Sequence, residues 1–382
     1  MFRKAQTLSK KPKQRVLSLD PAGLLWGSER ALLDFIGEIP GFEPACCCPP
    51  GTALIEKLQA RSVRCFPIFE ANLHLRGTGA RVVALWGLLR ALWAYRPDVF
   101  HINQAGATRI ALLACRICRI PCVVHVRLQE DVAYLNRLKP SPKYLKQIIA
   151  ISEPIASLIQ MQPHLQGIPC AMLLDAYRAQ AGTNGAKVSH EPKTKKWDFV
   201  CVGRFCESKG QEILIRAVHL LQQNGISSKL VFVGAINDCG KILEGLVKEL
   251  NLGTTVTFTG HQDIVDSIIS QSRWLVCPTR FEALGRVLFE AWDVGVPVVA
   301  GDFSGGAAGS VSASGGGFLF GEWTPVSLAA ALTRAMSTGS DEADQIAAKG
   351  RGWLLQATDP ARYAGAMAKI LREAIHSFRR HP

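Results

Sequence analysis

Apolar residues along this chain gather in short, often β-branched runs, and stretches of helical spacing fill the gaps. In the first half RVLSLD (15–20), VFHIN (99–103), CVVHVR (122–127) and IIAIS (148–152) predict strands, with helical patterns over 28–38, 81–95 and 106–118. The second half repeats the alternation. FVCVGRF (199–205), KLVFVG (229–234), VTFTG (256–260), WLVCP (274–278) and PVVAG (297–301) predict strands, and 209–223, 239–250, 263–270 and 285–294 predict helices. Strands apolar on both faces and joined by helices belong to parallel sheets covered on both sides. The pattern predicts an α/β protein of two doubly wound, Rossmann-like domains in tandem, facing each other across a cleft.

A polar stretch without periodicity, RAQAGTNGAKVSHEPKTKKW (178–197), lies between the halves and predicts a linker over 178–196. It separates an N-terminal domain at 15–177 from a C-terminal domain at 197–358. PARYAGAMAKILREAIHSF (360–378) predicts a basic amphipathic helix within a closing segment at 359–382. The length of 382 residues agrees with two domains, since one hydrophobic core rarely serves so long a chain.

Composition narrows the class. Apolar residues make up 48% and charged residues 20%, as in folded water-soluble proteins. The most apolar helical stretch, 82–95, is too short for a membrane span and contains Arg90. Asp20 interrupts the first apolar run, where a signal peptide needs an unbroken one. These features predict a cytoplasmic protein, placed at the inner face of the cytoplasmic membrane if its basic surface meets lipid. Twelve cysteines fit that compartment as reduced thiols. Cys115, Cys118 and Cys122 have no second ligand pair at zinc-site spacing and read as small buried hydrophobes.

The formal charge of +13 is unevenly spread. Residues 1–15 hold six basic residues and no acids, and 101–196 hold thirteen basic against five acidic. Residues 197–360 are acidic, with seventeen acids against twelve bases. A basic first half attracts an anionic membrane surface, an acidic substrate or nucleic acid. Residues 1–14 also read simply as a basic, disordered tail. No nucleic-acid motif or aromatic–basic interleaving supports a nucleic-acid partner. No Gly-x-Gly-x-x-Gly follows a strand, which speaks against a dinucleotide oxidoreductase.

Ligands of doubly wound sheets bind beyond the carboxyl ends of the strands, so chemistry is sought there. In VGRFCESKGQEILIRAV (202–218) a strand ends at Gly203-Arg204 and Lys209 opens a helix. Two cations there suit a diphosphate, Arg through paired hydrogen bonds and Lys as a compact charge; a solvated basic pair is the alternative. CPTRFEALGRVLFEAW (277–292) sets Glu282 in a loop and Glu290 on the following helix. Gly285 permits close approach of a ligand, and the amides near Leu284, Gly285, Arg286 and Val287 carry the positive end of the helix dipole. Glu290 then reads as an acceptor for vicinal hydroxyls or as one half of a buried ion pair. Glu282 reads as a group near a reacting sugar or as a helix-terminal charge. GDFSGGAAG (301–309) follows a strand, and Gly305 and Gly306 offer amides to an anion or sugar hydroxyl. In GLLWGSERALLDF (23–35), Gly27 admits a phosphate, or Ser28 merely caps a helix.

Taken together these segments resemble the retaining GT-B glycosyltransferases of glycosyltransferase family 4, over roughly residues 15–355. The resemblance is carried by Glu282 and Glu290 with seven residues between, by VGRFCESKG before them and GVPVVAGDFSGG after, and by GSER at 27–30. It implies the GT-B fold, with a nucleotide-diphosphate sugar held by the C-terminal domain and a glycan or lipid-linked acceptor by the N-terminal one. The basic first half and final helix suggest an anionic or membrane-bound acceptor, so transfer of a hexosyl group to a lipid-linked saccharide of a surface polysaccharide or lipopolysaccharide is the expectation. Arg204 and Lys209 match the diphosphate grip, Glu290 the group accepting from the ribose, and Glu282 the glutamate beside the donor sugar, making Glu282, Arg204 and Lys209 the expected catalytic set. The final helix is expected to pack on the first domain. No metal or other cofactor is implied, and the sequence has no Asp-x-Asp. The sequence departs from the family where Ala283-Leu284 replace Gly-Phe, and where Gly309 stands in place of a glutamate. Arg127 stands near the place of a cleft histidine, so His125 and Arg127 are the acceptor-side candidates. A GT-B epimerase or phosphorylase, or a non-catalytic sugar-nucleotide-binding protein, shares this architecture.

Overall fold

The computed structural model describes residues 12–23, 25–68, 78–179, 195–262 and 264–380. The basic stretch 1–11 and the connector 180–194 lie outside them. The chain forms two compact units. One comprises residues 1–150, 156–176 and 360–382, and the other 151–155 and 177–359.

The first unit is built on a seven-stranded sheet: β1 (Gln14–Leu19), β2 (Phe42–Cys48), β3 (Arg64–Pro67), β4 (Val99–Ile102), β5 (Cys122–Val126), β6 (Leu145–Ala150) and β7 (Cys170–Met172). Its order is β3-β2-β1-β4-β5-β6-β7, and all pairings are parallel. The connecting helices are α1 (Gly27–Phe35), α2 (Ala53–Ala60), α3 (Thr78–Tyr95), α4 (Thr108–Cys118), α5 (Gln129–Leu138) and α6 (Glu153–Gln160). Strand order reverses between β1 and β4, so β1 and β4 flank the switch point. β2 shows why three consecutive cysteines are tolerated. Cys46 and Cys48 point into one apolar layer with Phe35, Leu54 and Leu58, all fully buried, while pleating turns Cys47 to the opposite face. Burial pushes the Cys47 thiol well up, so it stays protonated.

The strand expected at 148–152 runs Leu145–Ala150. Half-buried Lys146 and Gln147 near its start mask its apolar character.

The second unit holds a six-stranded parallel sheet: β8 (Trp197–Val202), β9 (Leu230–Val233), β10 (Val256–Phe258), β11 (Ser272–Cys277), β12 (Val298–Gly301) and β13 (Gly317–Phe320). Its order is β10-β9-β8-β11-β12-β13. The helices are α7 (Gln211–Gln223), α8 (Asp238–Glu249), α9 (Asp266–Ser270), α10 (Arg286–Asp293), α11 (Gly306–Ser314), α12 (Pro325–Ser337) and α13 (Ser340–Ala357). Its core gathers Phe199, Phe232, Trp274, Leu214 and Leu332. β8 stops at Val202 rather than at 205, because Phe205 turns into the core against Phe232 and Phe258. The switch point here lies between β8 and β11. The loops after β8, β11 and β12 therefore leave neighbouring strands on one edge of the sheet.

The last helix, α14 (Pro360–Arg380), packs within the first unit. Its apolar stripe of Tyr363, Met367, Ile370, Leu371 and Ile375 joins that unit's core beside Leu32 and Phe35. Among the described residues no helix is long and apolar enough to cross a membrane.

Candidate active site

In the second unit the chain returns three times to the carboxyl edge of the sheet, and main-chain contacts weld the three loops together. Loop 203–210, after β8, reaches loop 278–285, after β11: the Arg280 amide donates to the Ser208 carbonyl at 2.9 Å. Gly210 makes this approach feasible. It is left-handed (φ +71°), and a Cβ there would lie 2.2 Å from the Pro278 carbonyl oxygen. Loop 302–305, after β12, then clamps Glu282. The Glu282 amide donates to Ser304 O at 2.9 Å, and its carbonyl accepts from the Gly306 and Ala307 amides at 2.9 and 3.3 Å. The Gly306 amide, expected from the sequence to meet an anion, is thus used internally. Gly305 and Gly306 instead shape the loop that carries Glu282: Gly305 is left-handed (φ +75°), and a Cβ on Gly306 would lie 1.9 Å from the Ala283 carbonyl oxygen.

The welding brings Lys209 to Glu282, 73 residues on, with Nζ 2.5 Å from Oε2. The pair is partly exposed, 31% and 22% for the two side chains, so solvent and a ligand can both reach it. Burial depresses the Lys209 pKa, but the Glu282 carboxylate and neighbouring thiols outweigh it and raise the pKa, so the ammonium is held charged. Arg204 is exposed, and its side chain has no hydrogen bond or ion pair among the described residues. Its carbonyl is fixed by the buried Gln211 side chain, Nε2 to O 3.0 Å.

Beyond Glu282 the buried Ala283 and Leu284 lead to Gly285, whose left-handed backbone (φ +79°) starts α10. The first amides of a helix have no intrahelical partner; in α10, which starts four residues past Glu282, the Leu288 amide already donates to Gly285 O at 2.8 Å, so the helix-end amides are those of Arg286 and Val287. The helix is anchored by Trp292. Its indole is fully buried, a Cβ on Gly316 or Gly350 would fall within 2.6 Å of its ring, and its Nε1 donates to Gly316 O at 2.9 Å. Arg286, Val287 and Glu290 are half-buried on α10. Arg286 lies over the Tyr177 ring at 5.0 Å, and the Tyr177 hydroxyl donates to Asp293 at 3.4 Å. Burial and the Asp293 and Glu290 carboxylates raise the Tyr177 pKa, in that order. The sequence gives no sign of Tyr177 in this role: it sits in an aperiodic segment and reaches α10 only through folding. Gln211 is likewise not singled out by the sequence reading, although its place directly after Lys209-Gly210 is the signal that could find it.

The first unit holds a second polar cluster at its own switch point. Arg127, just after β5, donates to Asn103 O at 3.3 Å, to Asn103 Oδ1 at 3.0 Å, and to Asp175. Asn103, after β4, donates to Asp20 at 2.8 Å. Gln104 donates to Glu29 at 2.6 Å. Burial, then the Asp20 charge, lifts the Glu29 carboxyl to about 7. Arg127 is buried and its guanidinium is engaged inside this unit.

His125 is corrected as an acceptor-side candidate. It is fully buried, and a chain of hydrogen bonds uses both ring nitrogens: Ser18 Oγ to His101 Nδ1 at 3.0 Å, His101 Nε2 to His125 Nδ1 at 2.7 Å, and His125 Nε2 to Tyr363 Oη at 2.7 Å. Burial and then Arg127 hold both imidazoles neutral, His101 down to about 3. Gly27 is the exposed first residue of α1, and Gly23 before it is left-handed (φ +66°).

Two Rossmann-like domains of this kind define the GT-B class. The family comparisons agree. A model of the family described as Glycosyl transferases group 1 matches residues 184–353, and one described as Glycosyl transferase 4-like domain matches 41–149. The chain is 34% identical over 288 residues to alpha-D-kanosaminyltransferase of Streptomyces kanamyceticus, covering 65% of this chain and 72% of that one. It is 25% identical over 282 residues to the lipopolysaccharide core biosynthesis glycosyltransferase LpsD of Rhizobium meliloti (strain 1021), covering 72% and 74%. Among solved structures, Anabaena Alr3699/HepE in complex with UDP-glucose superposes with a TM-score of 0.76 at 20% identity, over 94% of this chain and 99% of that one. The chain belongs to the glycosyltransferase 4-like, group 1 family of GT-B glycosyltransferases.

Proposed function

We propose that this glycosyltransferase moves a sugar from a nucleotide-diphosphate sugar to a hydroxyl of a glycan or lipid-linked acceptor, with retention of anomeric configuration, in building lipopolysaccharide or another surface polysaccharide. The observation that carries the reading is the Lys209–Glu282 pair, held by three welded loops at the switch point of the second unit, with exposed Arg204 on the same loop as Lys209 and α10 starting four residues past Glu282. The sugar nucleotide in the HepE complex and the name of LpsD support donor and pathway.

The chemistry follows from charge. As the bond from the anomeric carbon to the diphosphate breaks, negative charge grows on the phosphate oxygens. Lys209 donates one of its three N–H groups to Glu282 and keeps two donors for those oxygens. Arg204 supplies a planar fork, and the first-turn amides of α10 add the helix-dipole end. Groups preorganised in this way usually supply the largest catalytic term, about 10²–10³ in rate for each donor. Glu282, clamped through its main chain, orients Lys209 and lies where the sugar would sit. Glu290, one helical turn from Arg286, accepts from the ribose hydroxyls. In retention the acceptor oxygen bonds to the anomeric carbon from the departing side, and its proton passes to the leaving diphosphate.

A thermal-shift panel of nucleotide sugars tests this. One sugar nucleotide should raise the melting temperature, since ligand at about 100 times Kd adds about 2.7 kcal/mol. That donor should then label an acceptor with its anomeric configuration kept, read by the proton coupling at the new linkage. A chain that binds no nucleotide sugar, or yields the inverted product, contradicts the reading.

A further inference from the structure

Helix α3 departs from the pattern of helices on water-soluble domains. Such helices turn one apolar stripe inward and a polar face outward. The α3 sequence is apolar around its whole circumference, with only Arg81 and Arg90 charged. Its inner side is spent on the core, where Ala84, Leu88, Ala91, Leu92 and Tyr95 are buried. Its outer side still exposes Val82 (61%), Val83 (52%), Trp86 (56%) and Trp93 (51%). At 3.6 residues per turn, positions 82, 86, 90 and 93 fall on one stripe, so exposed Arg90 lies between the two tryptophans. The indoles of Trp86 and Trp93 meet edge to face at 5.9 Å.

The surface continues on α4, which packs beside α3. Trp93 touches Cys118 of α4, and Arg81 and Arg109 both act on Tyr134. Leu113 and Ile117 are exposed on α4, interleaved with exposed Arg109 and Arg116 and followed by exposed Arg119. From 78 to 122 the chain has six arginines and one acid, Asp98.

We propose that this α3–α4 face docks on an anionic lipid bilayer. The tryptophans and aliphatic side chains enter the interfacial layer, and the arginines meet headgroup phosphates. Charge complementarity selects this occupant. A second copy of the chain would bring arginines against arginines, whereas an anionic bilayer neutralises all of them. The inference goes beyond the transfer reading and stands without it, because it uses no residue of the nucleotide-sugar site.

The test is co-sedimentation with vesicles of equimolar phosphatidylglycerol and phosphatidylcholine, against phosphatidylcholine alone. The wild-type chain should bind the anionic vesicles and leave them in high salt. The W86S/W93S variant should lose about tenfold or more in partition. R90E/R116E should lose at least as much, since each arginine near an anionic surface is worth about fivefold. K10Q/K11Q/K13Q, in the basic N-terminal stretch, should retain most binding. All these positions outside the N-terminal stretch are exposed, so melting temperature and nucleotide-sugar binding should match wild type, which separates a failure here from a failure of the transfer reading. The proposal is overturned if W86S/W93S binds vesicles like wild type, or if the N-terminal variant alone abolishes binding. It is also overturned if the face instead mediates a dimer, dissolved by W86S/W93S, with no vesicle binding.

Discussion

Substituting Gly306 by alanine tests whether the glycine pair acts by holding Glu282. The new Cβ would lie 1.9 Å from the Ala283 carbonyl oxygen and 3.2 Å from Leu284 Cα, where ordinary contact begins at 3.4 Å. The two loops must therefore part by about 1.5 Å. That movement stretches the bonds from the Gly306 and Ala307 amides to Glu282 O, now 2.9 and 3.3 Å. Two weakened hydrogen bonds contribute about 0.5–1.5 kcal/mol each, and overpacking adds about 1–3 kcal/mol. A loss of about 2–6 kcal/mol by urea denaturation is expected. Misplacing a catalytic group by about 1 Å lowers turnover by about 10²-fold. Gly309→Ala is the matched control on the same helix, since nothing lies within 4 Å of its added Cβ. There alanine should be neutral or stabilise by up to about 1 kcal/mol. Both variants are assayed for donor turnover with the nucleotide sugar found by thermal shift. Native turnover and stability in G306A, or equal losses in G309A, would refute the clamp.

Glu282→Gln removes a partly exposed ion pair, so stability should change by no more than about 1 kcal/mol, while turnover falls by about 10²; a variant that loses donor affinity and keeps its turnover would mark a binding protein. Tyr363→Phe leaves His125 Nε2 without its 2.7 Å partner inside the first unit and should destabilise by about 1–3 kcal/mol in urea; a neutral result would mean the histidine chain holds nothing. Glu29→Gln should change the pH dependence of stability. The native Glu29 carboxyl is lifted from 4.5 to about 7, so its contribution is full below 4.5 and lost as pH rises through 7. His101 is lowered from 6.5 to about 3, so its contribution is full above 6.5 and lost on acidification. The two oppose each other between 4.5 and 6.5. Removing the carboxyl should therefore make stability fall more steeply from pH 7 to 5 than in wild type, by up to about 3 kcal/mol; an unchanged slope in melts across that range argues against a native-state shift at Glu29.

How far the sequence carries can be judged from particular segments. β4 and β5 are legible because VFHI and CVVHV are apolar on both faces, the mark of strands inside a parallel sheet. β3 and β7 are not, since they lie at the sheet edges as half-exposed segments of four and three residues. In the site, spacing places Lys209 and Glu282 after separate strands, and only the β8–β11 adjacency brings them together. The clamp on Glu282 is made of main-chain bonds, which side-chain spacing does not encode. His125 misleads for a similar reason. Its partners come from β4 and α14, so nothing near it in sequence marks its ring as satisfied.

Calorimetric titration of the nucleoside diphosphate of the matched donor, into wild type and into R204A, K209M and E290Q, tests the central claim most directly. A charge-assisted hydrogen bond contributes about 1.5–3 kcal/mol, so each variant should bind about 10–100-fold more weakly. Undiminished affinity in all three, with the diphosphate still bound by the wild-type chain, would place the grip elsewhere and contradict the account.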